Sequence, residues 1–315
     1  MTEAIQVSLQ ASGRLRPAGW NDFAPERAHP ANSLEYADFY ERFGHKPLFL
    51  QAHAGGERVG QWLLCRRKRR FSPLAALFAD CGPQIHARAL ERADDVLVAC
   101  VGFVVRRYRP RELMLLKQAL LRDVSEDALR RSGFRKIVEL RSFVSTIGTD
   151  AELLAAFHSS HRNDTRKALR GGFGYTDRLA PADYLELSRE MRDTTGYASA
   201  GADVVEAIAG TLVPGRRAFL SGVLAEGRLC AASVILFSGR TAFYLYGASS
   251  HDKPRGATTL LHYENMRRLR EQGVERYDFG GAGLPSDEDP KARSIAAFKE
   301  RFGGSSVMSH GGSYR

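Results

Sequence analysis

The second half of the chain carries a series of secondary-structure signals that restricts the fold more than any other feature. Three β-rich segments come first, and turn residues 226–228 separate the first two. A helix with one apolar side and a further strand follow. The segments are 217–225, 229–237, 241–248, the helix 258–272 and the strand 275–279. Strands followed by a long helix and another strand are typical of an α/β layered domain.

The first half of the chain repeats this order of strands and helices less clearly. Two strands at 47–53 and 57–66 flank a glycine turn, a helical stretch covers 87–108, and strands are expected at 111–117 and 136–143. Residues 150–170 resemble a helical pair and 181–195 another helix. We therefore predict an α/β (α+β) fold with two related domains in tandem, each a mixed central sheet flanked by helices, joined near residues 143–150.

Composition narrows the class of protein. With 315 residues and 43% apolar content, the chain has enough material for a hydrophobic core. No run approaches the 18 apolar residues of a membrane span, and the first residues lack a signal-peptide pattern, so we expect action in the cytosol. The cysteines form no Cys-x-x-Cys pair, and we expect reduced core thiols and no metal site. They are Cys65, Cys81, Cys100 and Cys230.

A net charge of +10 and a pI near 9.6 favour anionic partners. Nucleic acid, a nucleotide-linked substrate and an acidic membrane surface all remain open. The densest basic cluster is CRRKRR at 65–70, which is either a solvated hairpin or a specific anion contact. The signatures of most hydrolases, kinases and dehydrogenases are absent. Three basic or glycine-rich segments remain as candidate sites.

The first candidate is a basic helix at 161–172. Arg162, Arg166 and Arg170 fall on one helical face, with Lys167 beside them. Like charges at this spacing oppose helix formation by a few tenths of a kcal/mol per pair, that is, about 0.2–0.5 kcal/mol. A bound polyanion would relieve that repulsion. A basic face in contact only with water and salt is the alternative.

The second candidate is the glycine loop at 253–261, which contains Arg255 and leads into a helix. Exposed backbone N–H groups at a helix start can bind a phosphate or a carboxylate. A plain strand-to-helix connection is the alternative interpretation.

The third and most specific candidate is the segment 277–304. On an ideal helix from Ser294, Lys299 lies about 70° from the centre of a narrow apolar stripe. The stripe consists of Ile295, Phe298 and Phe302. This spacing predicts that the Lys299 amine borders a cleft at the helix edge; the alternative is a lysine whose stem covers apolar surface. Gly280 and Gly281 permit close backbone approach by a ligand or by this helix.

Four motifs in this half resemble the FemABX-like family of acyltransferases, which belongs to the wider GNAT-related fold group. They are HRNDTRKALRGGFGY (161–175), YLYGASS (244–250), RGATTLLHYENMRRLREQGVERYDFGG (255–281) and SIAAFKERFGG (294–304). The match is strong over 150–304 and faint before that. The resemblance implies two tandem GNAT-like domains, 1–145 and 146–304, with residues 305–315 returning to the first.

The resemblance also implies a reaction: transfer of an aminoacyl group from aminoacyl-tRNA to an amine, typically on a peptidoglycan precursor, without a separate cofactor. Lys299 matches the family lysine that compensates negative charge at the tRNA 3′ end. Phe298 matches the neighbouring aromatic residue, and Tyr246 a tyrosine on the strand that lines the acceptor groove. Tyr197 stands near where relatives place an arginine, which weakens the expectation of a nucleotide-linked muramyl peptide.

The implied chemistry needs a cation more than a nucleophile. Attack of an amine on an ester builds negative charge on the carbonyl oxygen and then on the departing oxygen, which a preorganised positive charge stabilises. Asp278 is a candidate base, although a structural role at a strand end is the stronger interpretation, and proton removal by the substrate itself is preferred.

Two other functions compete with aminoacyl transfer. One is an N-acyltransferase that uses a thioester of coenzyme A or of a carrier protein. The other is a non-catalytic binder of nucleic acid or of the inner membrane surface, for which binding would depend steeply on salt and not at all on Lys299.

Overall fold

A computed structural model describes residues 3–67, 76–115, 124–197 and 199–314. Residues 68–70 of the basic cluster and 116–117 of the predicted strand lie outside the described residues. The strands are β1 Gln6–Ser12, β2 Lys46–Ala54, β3 Glu57–Arg66, β4 Ala76–Ala79, β5 Gln84–Ile85, β6 Glu112–Leu115, β7 Lys136–Thr146, β8 Gly174–Thr176, β9 Ala218–Ala225, β10 Arg228–Ser238, β11 Thr241–Ser249, β12 Arg276–Ala282 and β13 Ser305–Tyr314.

The α-helices of the described residues alternate with these strands. They are α1 Leu34–Arg42, α2 Ala93–Tyr108, α3 Glu126–Arg131, α4 Asp150–Ala156, α5 Ser159–Arg170, α6 Pro181–Thr195, α7 Ala202–Thr211, α8 Ala257–Arg270 and α9 Pro290–Glu300. The chain divides into unit 1, Met1–Leu140 with Met308–Arg315, and unit 2, Arg141–Val307. Strands β7 and β13 each contain one of the points where the chain passes from one unit to the other.

Unit 1 is built on a mixed sheet in the order β1-β2-β3-β4-β6-β13. The pairs are antiparallel except β4 with β6, which is parallel. Gly55 and Gly56 both have positive φ and turn β2 into β3, as a two-residue hairpin requires. Helix α2 begins with acidic residues and ends with basic ones, which suits the helix dipole. Its apolar face packs on the sheet through Val96, Leu97 and Val101.

The strands of unit 2 lie in the order β7-β12-β11-β10-β9-β8. Strands β9, β10 and β11 form an antiparallel meander, whereas β11 and β12 are parallel. Helix α8 connects β11 to β12 and packs against β9, β10 and α5. Gly273 with φ +75 follows the end of α8, as the sequence predicts.

The core of unit 2 lies between its sheet and the helices α4, α5, α8 and α9. Leu260, Leu261 and Met266 of α8 are buried against strand residues such as Val223 and Ile235. The four cysteines of the chain are all buried and free. Among the described residues, no helix is long and apolar enough to cross a bilayer, and no group of three or more potential ligands could hold a metal ion.

Candidate functional site

The candidate site of unit 2 begins where β11 and β12 separate. Their parallel ladder joins only three residue pairs, Thr241 with Arg276 to Phe243 with Asp278. One residue later β11 carries a bulge, because Tyr244 pairs with Ile235 while Tyr246 pairs with Val234. A bulge bends a strand and redirects its side chains. The ladder between the two strands therefore ends before Tyr244 and Gly280, where the Gly280 backbone lies close to the Tyr244 carbonyl oxygen.

Lys299 of α9 lies at this separation and is only 8% exposed. Its Nζ donates to the carbonyl oxygen of Gly281 at 2.5 Å and lies 6.0 Å from the centre of the Tyr244 ring. Burial of a cation is costly unless its hydrogen bonds are made, so a carbonyl oxygen and an aromatic face are favourable neighbours. The arrangement presents a positive charge in a place from which most water is excluded.

The structure corrects the predicted placement of Lys299 at the edge of an apolar stripe. Helix α9 ends at Glu300, so Phe302 lies beyond the helix and enters the core from the following turn. Ile295 is 38% exposed, and the buried helical residues are Ala296 and Lys299. The lysine thus occupies the buried face itself.

Histidine side chains of two other helices surround this position. His161 of α5 is hydrogen-bonded to the carbonyl oxygen of Phe298, with 3.2 Å from Nε2 to oxygen, and thereby attaches α9 to α5. His262 of α8 is fully buried and packs edge-on against Tyr244 and Phe302. Burial first, and then the positive charge of Lys299, lower the pKa of His262 to about 3. His262 is therefore neutral at physiological pH.

Gly280 and Asp278 shape the end of β12. Gly280 has φ +72, and a Cβ atom there would lie 2.9 Å from the carbonyl oxygen of Tyr244. Asp278 is 7% exposed and accepts a hydrogen bond from the Gly280 N–H at 2.8 Å. The carboxylate holds the turn that aims the Gly281 carbonyl at Lys299, which is a structural function.

Tyr246 lies on the far side of the bulge, close to aromatic residues that follow α6 or belong to it. Its charge contributes to the raised pKa of Tyr184, whose first cause is burial. The Tyr184 hydroxyl lies 2.7 Å from Ser199 Oγ, and the ammonium of Lys291 on α9 lies 4.8 Å from the ring centre of Tyr197. Tyr246 and Tyr197 thus both lie near Tyr184, which is itself fully buried, whereas Tyr197 is exposed.

The predicted basic helix corresponds to α5, and most of its basic side chains are exposed to solvent. Arg166, Lys167 and Arg170 are exposed, and Arg162 is partly exposed with a hydrogen bond to the carbonyl oxygen of Ala155. A cavity of 400 Å³ adjoins the end of α5 and the start of α8, lined by Gly171, Phe173, Ala225, Glu226, Arg228, Cys230 and Pro254. Three basic side chains of α5 are thus exposed to solvent on this face.

The structure groups Arg255 with α5 and not with Lys299. Its Nε lies 2.8 Å from the Asp164 carboxylate, and its side chain is 75% exposed. Gly256, with φ +99, begins α8 so close to α5 that a Cβ atom there would lie 2.7 Å from the Asp164 carbonyl oxygen. A further cavity, of 660 Å³ beside α6, contains none of the predicted site residues.

Sequence reasoning did not assign a role to Tyr244, His262 or Tyr277, which enclose Lys299 or support that enclosure. A signal was present, since His262 and Asn265 are polar residues on the side of the predicted helix that carries Leu261, Met266 and Leu269. Buried polar side chains in a core are uncommon and need partners.

This arrangement has relatives among known proteins. A sequence profile of the acetyltransferase (GNAT) domain matches residues 130–291, just over half of the chain. The chain belongs to the GNAT acetyltransferase family. The fold of the solved structure of FemX agrees with it at a TM-score of 0.77, over 96% of this chain and 97% of that one, at 17% identity. A tandem GNAT protein from the clavulanic acid pathway agrees at 0.52, over 98% and 97%, at 13% identity.

Sequence comparison adds a local match. The lipid II:glycine glycyltransferase of Staphylococcus epidermidis is 35% identical over 79 residues, and that of Staphylococcus aureus 34%. The matched segment is 25% of this GNAT chain and 19% of those relatives. The predicted resemblance to FemABX-like, GNAT-related proteins and the mixed α/β fold are both confirmed.

Proposed function

We propose that this protein is an acyltransferase that moves an aminoacyl group onto an amine of a peptidoglycan precursor or a related peptide. The observation that carries the proposal is the buried Lys299 ammonium, held on the Gly281 carbonyl where β11 and β12 separate. The local match to glycyltransferases named for lipid II supports the class of acceptor.

The proposed reaction forms a C–N bond and breaks a C–O bond. The acceptor nitrogen attacks the ester carbonyl carbon, negative charge develops on the carbonyl oxygen, and the departing oxygen finally takes the proton that the amine loses. A fixed cation in a site of low dielectric stabilises that charge much more than water does. Lys299 is the cation, and Phe298 and Tyr244 limit the access of water to it.

Among the described residues near Lys299, no side chain is suited to act as a strong base. His262 has a pKa near 3 because it is buried beside Lys299, so it binds a proton poorly. Asp278 already accepts the Gly280 N–H within its own turn. We infer that the amine loses its proton to the substrate itself as the ester bond breaks.

Aminoacyl-tRNA is the donor that fits this surface best. The exposed cations of α5 suit a nucleic-acid backbone. A coenzyme A pyrophosphate would need the start of a helix such as α8. At the start of α8 the Asp164 carboxylate lies beside Arg255, and α5 packs closely on Gly256. A pyrophosphate at this place would be repelled by the carboxylate and would clash with the backbone of α5.

A donor panel tests the proposal. The protein is incubated with labelled aminoacyl-tRNA, acetyl-coenzyme A or an acylated carrier protein, each with lipid II or its soluble precursor, and label transfer is followed. We expect amide product from aminoacyl-tRNA alone. Product from a thioester alone would reject the tRNA donor, and no product from any donor would favour a non-catalytic anion binder.

A further inference from the structure

A buried pair of polar side chains joins α8 to β12. His262 and Tyr277 are both fully buried, and the Tyr277 hydroxyl lies 3.0 Å from His262 Nδ1. Asn265, one turn further along α8, has other partners: its side-chain N–H donates to Ser233 Oγ at 2.9 Å, and its carbonyl oxygen accepts from the Tyr175 hydroxyl at 3.0 Å.

The contact between Tyr277 and His262 fixes the position of the imidazole proton. A buried phenol hydroxyl needs an acceptor for its proton, and His262 Nδ1 is the acceptor within hydrogen-bond distance of Tyr277 among the described residues. The Tyr277 O–H therefore donates to Nδ1, and the neutral imidazole carries its own proton on Nε2.

The Nε2–H group lies at the outer end of this pair. It is buried and has no hydrogen-bond partner among the residues that the structure describes. A buried donor without a partner is unfavourable, because its hydration is lost and no hydrogen bond replaces it. The imidazole and the Lys299 ammonium lie against the same Tyr244 ring, and Phe298, which is only partly buried, packs against the imidazole.

We propose that the Nε2–H of His262 is a second, uncharged hydrogen-bond donor of the transfer site, which pairs with the reacting oxygen of the bound acyl donor. The inference rests on the proposed function. It assigns His262 a contact with the substrate and assigns Tyr277 the task of keeping its proton on Nε2.

Two substitutions at His262 separate donation from packing. In His262→Gln an amide N–H can take the place of Nε2–H, whereas in His262→Asn an amide oxygen can take the place of Nδ1 and the outer donor is lost. We expect His262→Asn to lower kcat about 10²-fold or more, the effect of removing one such donor, with little change in KM. His262→Gln should retain most of kcat.

Equal kcat for the two variants, or a larger loss in His262→Gln, would overturn the proposal. Thermal unfolding of both variants reports the packing contribution separately. The proposed function itself would remain in place if the wild-type protein transferred label and only this pattern failed.

A spectroscopic measurement does not depend on turnover. Long-range ¹H–¹⁵N correlation of imidazole-labelled protein should show His262 with the proton on Nε2, and Tyr277→Phe should release that preference. Addition of a non-hydrolysable aminoacyl-adenosine amide should shift the Nε2–H resonance in the wild type. A proton on Nδ1, or no shift at saturation with this compound, would contradict the assignment.

Discussion

Gly280 has a backbone conformation that only glycine adopts without strain. Its φ of +72 and the 2.9 Å approach of the Tyr244 carbonyl to a Cβ atom both oppose any side chain. Gly281 provides a matched control, because its φ is not positive and nothing lies within 4 Å of a Cβ atom there.

We expect Gly280→Ala to lower the free energy of unfolding by at least about 1–2 kcal/mol, the cost of a left-handed residue with a side chain. Gly281→Ala should change it by much less. Denaturant unfolding of the two variants measures the difference, and equal stability would show that the turn before Lys299 does not need glycine.

Helical periodicity predicts that Lys299 lies near an apolar stripe of α9, but it does not predict where the helix ends. Spacing placed the lysine near an apolar stripe, but the position where α9 ends is fixed by tertiary contacts. The Phe302 N–H bonds to the Lys299 carbonyl, and Gly303 has φ +77 with the Ala156 carbonyl 2.2 Å from a Cβ atom there. Those contacts rotate Phe302 into the core and leave Lys299 on the buried face.

Helix α5 has one face of charged residues toward solvent and an opposite face of buried residues toward the core. Its exposed face carries Arg166, Lys167 and Arg170, while His161 and Thr165 are buried. An anion bound on the exposed side, as proposed above, would leave undisturbed the contacts that attach α9 on the other side.

Replacement of Arg166, Lys167 and Arg170 together by Gln should weaken binding of tRNA and flatten its salt dependence. Each lost phosphate contact lowers the slope of log K against log salt by about 0.7–0.9. Fluorescence anisotropy at several salt concentrations measures this slope. A matched triple of exposed arginines on unit 1, Arg106, Arg107 and Arg109, serves as control. Equal slopes for the two triple variants would exclude α5 as the contact.

Most elements of unit 2 could be predicted from local pattern. The predicted strands at 217–225, 229–237 and 241–248 and the helix at 258–272 match β9, β10, β11 and α8 within a few residues. The bulge at Tyr244 and the early end of the β11–β12 ladder could not be predicted, because register depends on the neighbouring strand and not on alternation within one segment.

At the scale of the whole molecule, the sequence indicated two related α/β domains, and the chain forms two compact units. Strand order was beyond prediction. In unit 2, β7 lies beside β12 although about 130 residues separate them in sequence, and in unit 1 the C-terminal β13 pairs with β6. Hydrophobic patterning marks a strand but does not state which distant strand is its neighbour.

We predict that the reaction depends on one buried cation, Lys299. The most direct measurement is single-turnover transfer from aminoacyl-tRNA to an amine acceptor by the wild type, by Lys299→Met and by Lys136→Met, which removes an exposed lysine of unit 1. Lys299→Met should lower the rate about 10²-fold or more, as loss of a preorganised charge requires, and Lys136→Met should leave it unchanged. Transfer by Lys299→Met at the wild-type rate would contradict the account.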